Sequence, residues 1–303
     1  MSAASAISVR NHYLGIGLIL IASLGFAIKG IFIKLAYAIG SEVNAVNLMA
    51  IRMFLSMPFF IGVAIYYSRS STPVAMQKTD VLRILYLGFI GYYLSSYLDF
   101  TGLNYISAGL ERLILYLYPT FVVVLTMITV RRAPRKQELF ALALSYIGIG
   151  LFFSLELSIQ GPEVVTGTLA VLAAAISFAF FMVGSQKAIH RMGSARFTAY
   201  SMLVASAMIF IHYLFTHEGR LLDMPTDFFL YGLSLALFST VFPAFMMNAG
   251  LKRIGASRTA VLTSIGPVLT LVLAWAVLGE SIGPLQLAGT VLILSGIYIS
   301  GRH

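Results

Sequence analysis

The chain contains no cysteine. That excludes disulfides, a thiolate metal site and a cysteine nucleophile. Histidine is also scarce, with five scattered residues, so no histidine-rich metal site is expected. There is no H-E-x-x-H zinc helix, no G-x-S-x-G nucleophile turn and no G-x-x-x-x-G-K-[ST] loop for ATP. Charge is the largest deficit. Charged residues are 10% of the 303, where a soluble chain carries roughly a quarter.

What fills the space is apolar. Hydrophobic residues are 59% of the chain, and the mean hydropathy is +0.91. About 20 apolar residues span the hydrocarbon core as a helix, so a chain of this length holds about ten spans. The apolar runs place them near 13–38, 46–67, 81–100, 104–130, 137–156, 165–188, 197–216, 228–249, 256–278 and 284–301. Ala36-Tyr37-Ala38 resembles a signal-peptidase site. Lys29 and Lys34 interrupt the run before it, which is also too long, so the segment reads as an uncleaved first helix.

The net charge of +9 invites a nucleic-acid reading. Its distribution argues against one, because the basic residues sit in short connections. Arg10, Arg69, Lys78, Arg83, Arg131, Arg132, Arg135, Lys136, Lys187, Arg191, Arg196, Lys252, Arg253, Arg258 and Arg302 fall on one side of the alternation. Glu42, Asp99, Glu156, Glu163, Glu218, Asp223, Asp227 and Glu280 fall on the other, with Arg220 as the lone cation there. Under the positive-inside rule both termini are cytoplasmic, and the partner is a lipid bilayer rather than nucleic acid.

An internal repeat runs through the chain. Gly102-Leu103, Ile106, Ala108, Pro119 and Val124-Leu125 recur 148 residues later as Gly250-Leu251, Ile254, Ala256, Pro267 and Val272-Leu273. Leu139, Leu144 and Gly148 recur at the same spacing as Leu287, Leu292 and Gly296. Gly15, Ala22 and Phe26 answer to Gly167, Ala174 and Phe178 at a spacing of 152. Each half holds five spans, and an odd number makes the halves enter the membrane in opposite directions. The expected fold is therefore all-α and integral to the membrane. Its ten transmembrane helices form two inverted five-helix repeats, residues 13–156 and 165–301. Secondary transporters are commonly built so, with the substrate near the midplane.

These residues resemble the drug/metabolite transporter superfamily, in its two-repeat EamA-type form. The carrying segments are Tyr105-Ile106-Ser107-Ala108-Gly109-Leu110-Glu111-Arg112 running to Pro119, Ile254-Gly255-Ala256-Ser257 running to Pro267, and Gly279-Glu280. The resemblance covers nearly the whole chain and implies a transporter rather than an enzyme. It does not specify a substrate. The family often has a tryptophan in the first helix of each half, where this chain has Phe26 and Phe178. Its Gly-Glu after the fourth helix is Arg131-Arg132 here.

Charges inside the hydrocarbon cost about 2.5 kcal/mol or more at its centre, so they mark function or pairing. Lys29 lies mid-helix in the first span, Arg52 in the second, Asp99 at the end of the third, and Glu111 and Arg112 in the fourth. Helical spacing puts Arg112, Tyr116 and Pro119 on one face and Tyr93 one turn before Tyr97. The expected substrate contacts are Lys29, Arg112, Tyr93, Tyr97 and Tyr116. The expected proton-coupling groups are Glu111 and Asp99. Glu111 and Arg112 answer to Thr259 and Ala260 in the second half, so the pair is not a repeated structural element. Arg52 reads as structural or snorkelling, and Lys34 and His212 as interfacial.

The function expected is secondary active transport, exporting a small anionic or zwitterionic, amino-acid-like metabolite by alternating access. No cofactor, metal or catalytic residue is expected. The location is a bacterial inner membrane, and a homodimer is compatible with the reading. The alternatives are an exporter of multidrug or lipid-like solutes and, from a different class, an intramembrane enzyme. The embedded charges disfavour the first, and the missing motifs disfavour the second.

Overall fold

The computed structural model describes residues 3–69, 76–130, 136–216, 221–255, 258–259, 262–263 and 265–301. Arg131, Arg132, Arg135, Glu218, Arg220, Ala256, Ser257, Ala260 and Arg302, all used in the sequence reading, lie outside these.

Ten helical spans follow one another among the described residues. They are α1 (Ala3–Tyr37), α2 (Ala45–Ser68), α3 (Lys78–Gly102), α4 (Ala108–Thr129), α5 (Lys136–Gln160), α6 (Glu163–Met192), α7 (Ser194–Thr216), α8 (Thr226–Ile254), α9 (Ile265–Leu278) and α10 (Pro284–Gly301). Seven are long and apolar enough to cross a bilayer. The other three carry shorter apolar stretches, Tyr146–Ile159, Ile265–Leu278 and Pro284–Gly296. The surface is inverted relative to a soluble protein. Leu82, Leu169 and Trp275 are 60% exposed or more, while Asp99, Glu111 and Arg52 are buried. Lipid tails solvate the outer apolar side chains, and the polar ones turn inward.

Local chemistry sets the helix ends. α4 begins at Ala108, four residues later than the apolar run suggests, because the Ser107 hydroxyl accepts the Leu110 N–H at 3.0 Å. α9 stops at Gly279, whose φ of 69° a side chain would oppose.

Three helices contain wide π-turns: Phe89–Leu94 in α3, Leu237–Val241 in α8 and Ala274–Leu278 at the end of α9. The first two begin 148 residues apart (237 − 89). In α3 the Ile90 carbonyl accepts the Ser95 N–H and also the Ser177 hydroxyl of α6, at 2.6 Å. In α8 the turn precedes Pro243, which has no N–H to return to Ser239.

α4 is itself broken. Helical geometry runs over Ala108–Leu115, fails at Tyr116 and Leu117, and resumes at Tyr118. Pro119 cannot donate to the Leu115 carbonyl, so the break falls one turn before it. Such irregularity is tolerated at membrane depth only where it borders protein or water.

The most extensive helix contacts pair α1 with α8, α5 with α10, α3 with α6, α2 with α7 and α4 with α6. Each joins a helix before residue 161 to one after residue 162. Small residues allow the closest approach. At Gly148 of α5 a Cβ would fall 2.5 Å from the Gly289 carbonyl of α10, so both positions need glycine.

Candidate functional site

A cavity of about 100 Å³ lies among α1, α2, α3, α4, α6, α7 and α8, with Thr263 ahead of α9 also on its wall. By water-sized volume it holds several water molecules or one small solute. Both π-turns open onto it, through Gly91 and Tyr92 in α3 and Ser239 and Thr240 in α8. Its charged lining residues are Lys29, Arg52, Asp99 and Arg112.

Lys29 is the hub of the charged groups. Its Nζ donates to the Asp99 carboxylate and lies 3.6 Å from Glu111 Oε1. Two carboxylates thus face one ammonium, and the trio carries one negative charge until it takes up a proton. Glu111 is fully buried and packs against Gly30 of α1, where a Cβ would meet its Oε2 at 3.3 Å. Among the described residues no other donor reaches Glu111 or Asp99 Oδ1, and the two carboxyl groups lie close enough to hydrogen-bond each other when one is protonated.

Arg112 places its guanidinium carbon 5.0 Å from the Tyr116 ring centroid. The break in α4 turns both residues toward Gly266 of α9. A Cβ there would lie 2.8 Å from Arg112 Nη2 and 2.8 Å from the Tyr116 hydroxyl. Tyr118 hydrogen-bonds Thr263. The Pro119 and Pro267 segments therefore touch beside the cavity.

Of the residues singled out from the sequence, Lys29, Asp99, Arg112 and Tyr116 line this cavity. Glu111 stands behind the lining, in reach of Lys29. Tyr93 and Tyr97 are elsewhere. Their rings stack at 6.4 Å, and the Tyr93 hydroxyl meets His212 Nδ1 at 3.0 Å. His212, read as an interfacial histidine without a partner, thus has two tyrosines against it. The reason is rotational. α3 turns Tyr92 to the cavity, so its neighbour Tyr93 points about 100° away.

Sequence reasoning missed several wall residues. Tyr92 accepts a hydrogen bond from Asn248 Nδ2 at 2.8 Å, and Phe26, Phe178 and Tyr118 complete an aromatic wall. Arg52 does not snorkel. It is buried over the Phe100 ring at 4.6 Å. The equivalence of Phe26 and Phe178 in the repeat was the one available signal.

Two outer carboxylates hold the start of α4. Glu280 accepts the Ala108 and Gly109 N–H groups at 2.9 and 3.2 Å. Glu156 accepts from the Ser107 N–H at 3.1 Å and from its hydroxyl. Orphan donors at a helix N-terminus favour such anions. Glu156 lies on α5 and Glu280 follows α9, so both halves grip the same helix end.

A polytopic helical bundle closed around a charged internal cavity has the build of a membrane transporter. The comparisons define it more closely. The model of the EamA-like transporter family matches residues 13–154 and 165–302, and the chain belongs to that family. It is 33% identical over 302 residues to the uncharacterized transporter YcbK of Bacillus subtilis (strain 168), covering 95% of this chain and 93% of that one. It is 31% identical over 206 residues to a probable amino-acid metabolite efflux pump of Salmonella typhimurium, covering 64% of this chain and 67% of the pump. A crystal structure with 17% sequence identity shares the fold, at a TM-score of 0.64 over 96% of this chain and 95% of its own.

Proposed function

We propose that the protein is a secondary active transporter of the bacterial inner membrane that exports a small anionic or zwitterionic metabolite by alternating access. One observation carries this reading. The cavity at the junction of the two halves holds buried cations and a carboxylate, and the break in α4 meets Gly266 of α9 beside it. The probable amino-acid metabolite efflux pump among the relatives supports an exported, amino-acid-like solute. Arg112 is the anion contact and Tyr116 packs on its guanidinium. Glu111 and Asp99, bridged by Lys29, carry the coupling proton. Tyr93 and Tyr97 stand outside the cavity wall, against His212.

The halves, 13–156 and 165–301, are two inverted repeats that rock about this cavity. Spacing supports this. The π-turns of α3 and α8 begin 148 residues apart (237 − 89). Cavity residues fall into pairs at the same spacing, with Gly91 answering to Ser239, Asp99 to Met247 and Leu115 to Thr263. The helix pairing has the same symmetry, since exchanging the halves turns the α1–α8 contact into the α3–α6 contact.

The function is tested by comparing metabolites in spent medium with and without overexpression. A solute that accumulates outside only with the wild-type protein, and shows saturable, counterflow-stimulated flux in proteoliposomes, supports it. Flux without saturation or counterflow makes the protein a channel. Orientation is tested separately, and the cysteine-free chain makes single cysteines readable. Ser281→Cys is expected to react with an impermeant thiol reagent in intact cells, and Arg132→Cys only after permeabilisation. The reverse labelling overturns the cytoplasmic placement of both termini.

A further inference from the structure

We infer that Arg52 joins Arg112 in forming the anion site, and that the solute is a net anion: a carboxylate on a flat apolar body, with no ammonium group. This rests on the transporter reading above and narrows its substrate class.

Arg52 stands seven residues after Ala45, the first residue of α2, so it is about 10 Å along the helix axis from that end. It is 3% exposed, too deep to reach an interface. It lines the cavity with its guanidinium carbon 4.6 Å from the Phe100 ring centroid, yet Nε and Nη2 have no hydrogen-bond partner among the described residues. Arg112 is similar but holds fewer open donors: it is 4% exposed and lies over Tyr116, to which it is also hydrogen-bonded, and its Nε has no partner among the described residues. Buried donors left open are costly unless water or a ligand satisfies them. A guanidinium fork backed by a ring is preset for the two oxygens of a carboxylate. Lys29 is not free in this way, because Asp99 and Glu111 already hold it.

Charge counting then selects the ligand. Lys29, Arg52 and Arg112 stand against Asp99 and Glu111, leaving one positive charge over when all are ionised. A net anion cancels it and a zwitterion does not. An ammonium would find a single lining carboxylate among the described residues, Asp99, with one open oxygen and with its charge already offset by Lys29. Glu156 and Glu280 do not line the cavity and are bound to the Ser107–Gly109 segment. Phe26, Phe178, Tyr92 and Tyr118 give the remaining wall a flat, apolar character.

The rival reading makes Arg52 a structural group held by Phe100 and by the charge of Asp99. Purified protein in detergent, titrated with 3-phenylpropanoate, 3-phenylpropanamide and phenylalanine, separates the two. These probes share a body and differ in charge. The midpoint of thermal unfolding is expected to rise with the acid, and to stay unmoved by the amide and the amino acid at the same concentrations. Arg52→Lys retains the charge and loses the fork. It is expected to weaken acid binding about tenfold, as is Arg112→Lys, and Arg52→Gln to weaken it further. Stabilisation by phenylalanine equal to that by the acid overturns the net-anion assignment. Wild-type affinity in folded Arg52→Lys and Arg52→Gln makes Arg52 structural. No response to any probe overturns the ligand class. Binding is read without flux, so a protein that binds the acid but shows no counterflow loses the transporter reading and keeps the site.

Discussion

Lys29→Met is expected to destabilise the protein by about 3–5 kcal/mol, the range for removing one partner of a buried ion pair. The cause is specific. Asp99 is 2% exposed and Glu111 is fully buried, and Lys29 is the cation in contact with both. Without it, two buried carboxylates face each other with no cation between them. The cost is read as a lower midpoint of thermal unfolding in detergent and a lower yield of folded protein. Lys29→Met combined with Asp99→Asn is expected to recover most of the loss, because the remaining Glu111 can stay protonated. A Lys29→Met protein of wild-type stability would mean that the cluster is not held by its charges. Failure of the double variant to recover would mean that Lys29 acts through packing instead.

Glu111→Gln is expected to abolish pH-gradient-driven accumulation and leave exchange of the transported solute measurable. The amide keeps the size of the side chain but cannot take up or release a proton. It also leaves Lys29 with Asp99 alone, a balanced pair. Proteoliposomes with an imposed pH gradient, loaded with the solute found in spent medium, read accumulation. The same vesicles without a gradient read exchange. Full uphill transport by the variant removes Glu111 as the coupling group. Loss of exchange as well would assign Glu111 to binding or folding rather than to coupling.

The fold and the site were legible to different degrees. The apolar runs placed the described helices to within a few residues at most ends. The largest difference is at the start of α1, which is helical from Ala3 rather than from 13, and smaller ones fall where local chemistry sets the end. Ser107 starts α4 late, and α8 runs on to Ile254, where Gly255 with φ of 80° ends it. The π-turns were not legible, since a wide turn needs a competing acceptor or donor, such as Ser177 on a distant helix. Lys29, Asp99, Glu111 and Arg112 stood out because embedded charge is rare, but which of them pair did not. Tyr93 and Tyr97 look from spacing like a cavity face, yet they turn to His212. Arg52 looks from its position like a residue that reaches an interface, yet it turns inward.

Composition along the chain determined the membrane setting, the helical runs and their sequence repeat. Each depends on local hydropathy and on spacing, and both are written in order along one dimension. The tertiary structure decided the rotation of each helix about its axis and the partner it meets. That rotation committed Lys29 to two carboxylates and left Arg52 and Arg112 with open donors on one cavity. It also brought Glu280 to a helix end 171 residues earlier in the chain. A turn of about 100° per residue moves a side chain from lipid to cavity without changing its neighbours in sequence. Only the packing of distant helices sets that angle.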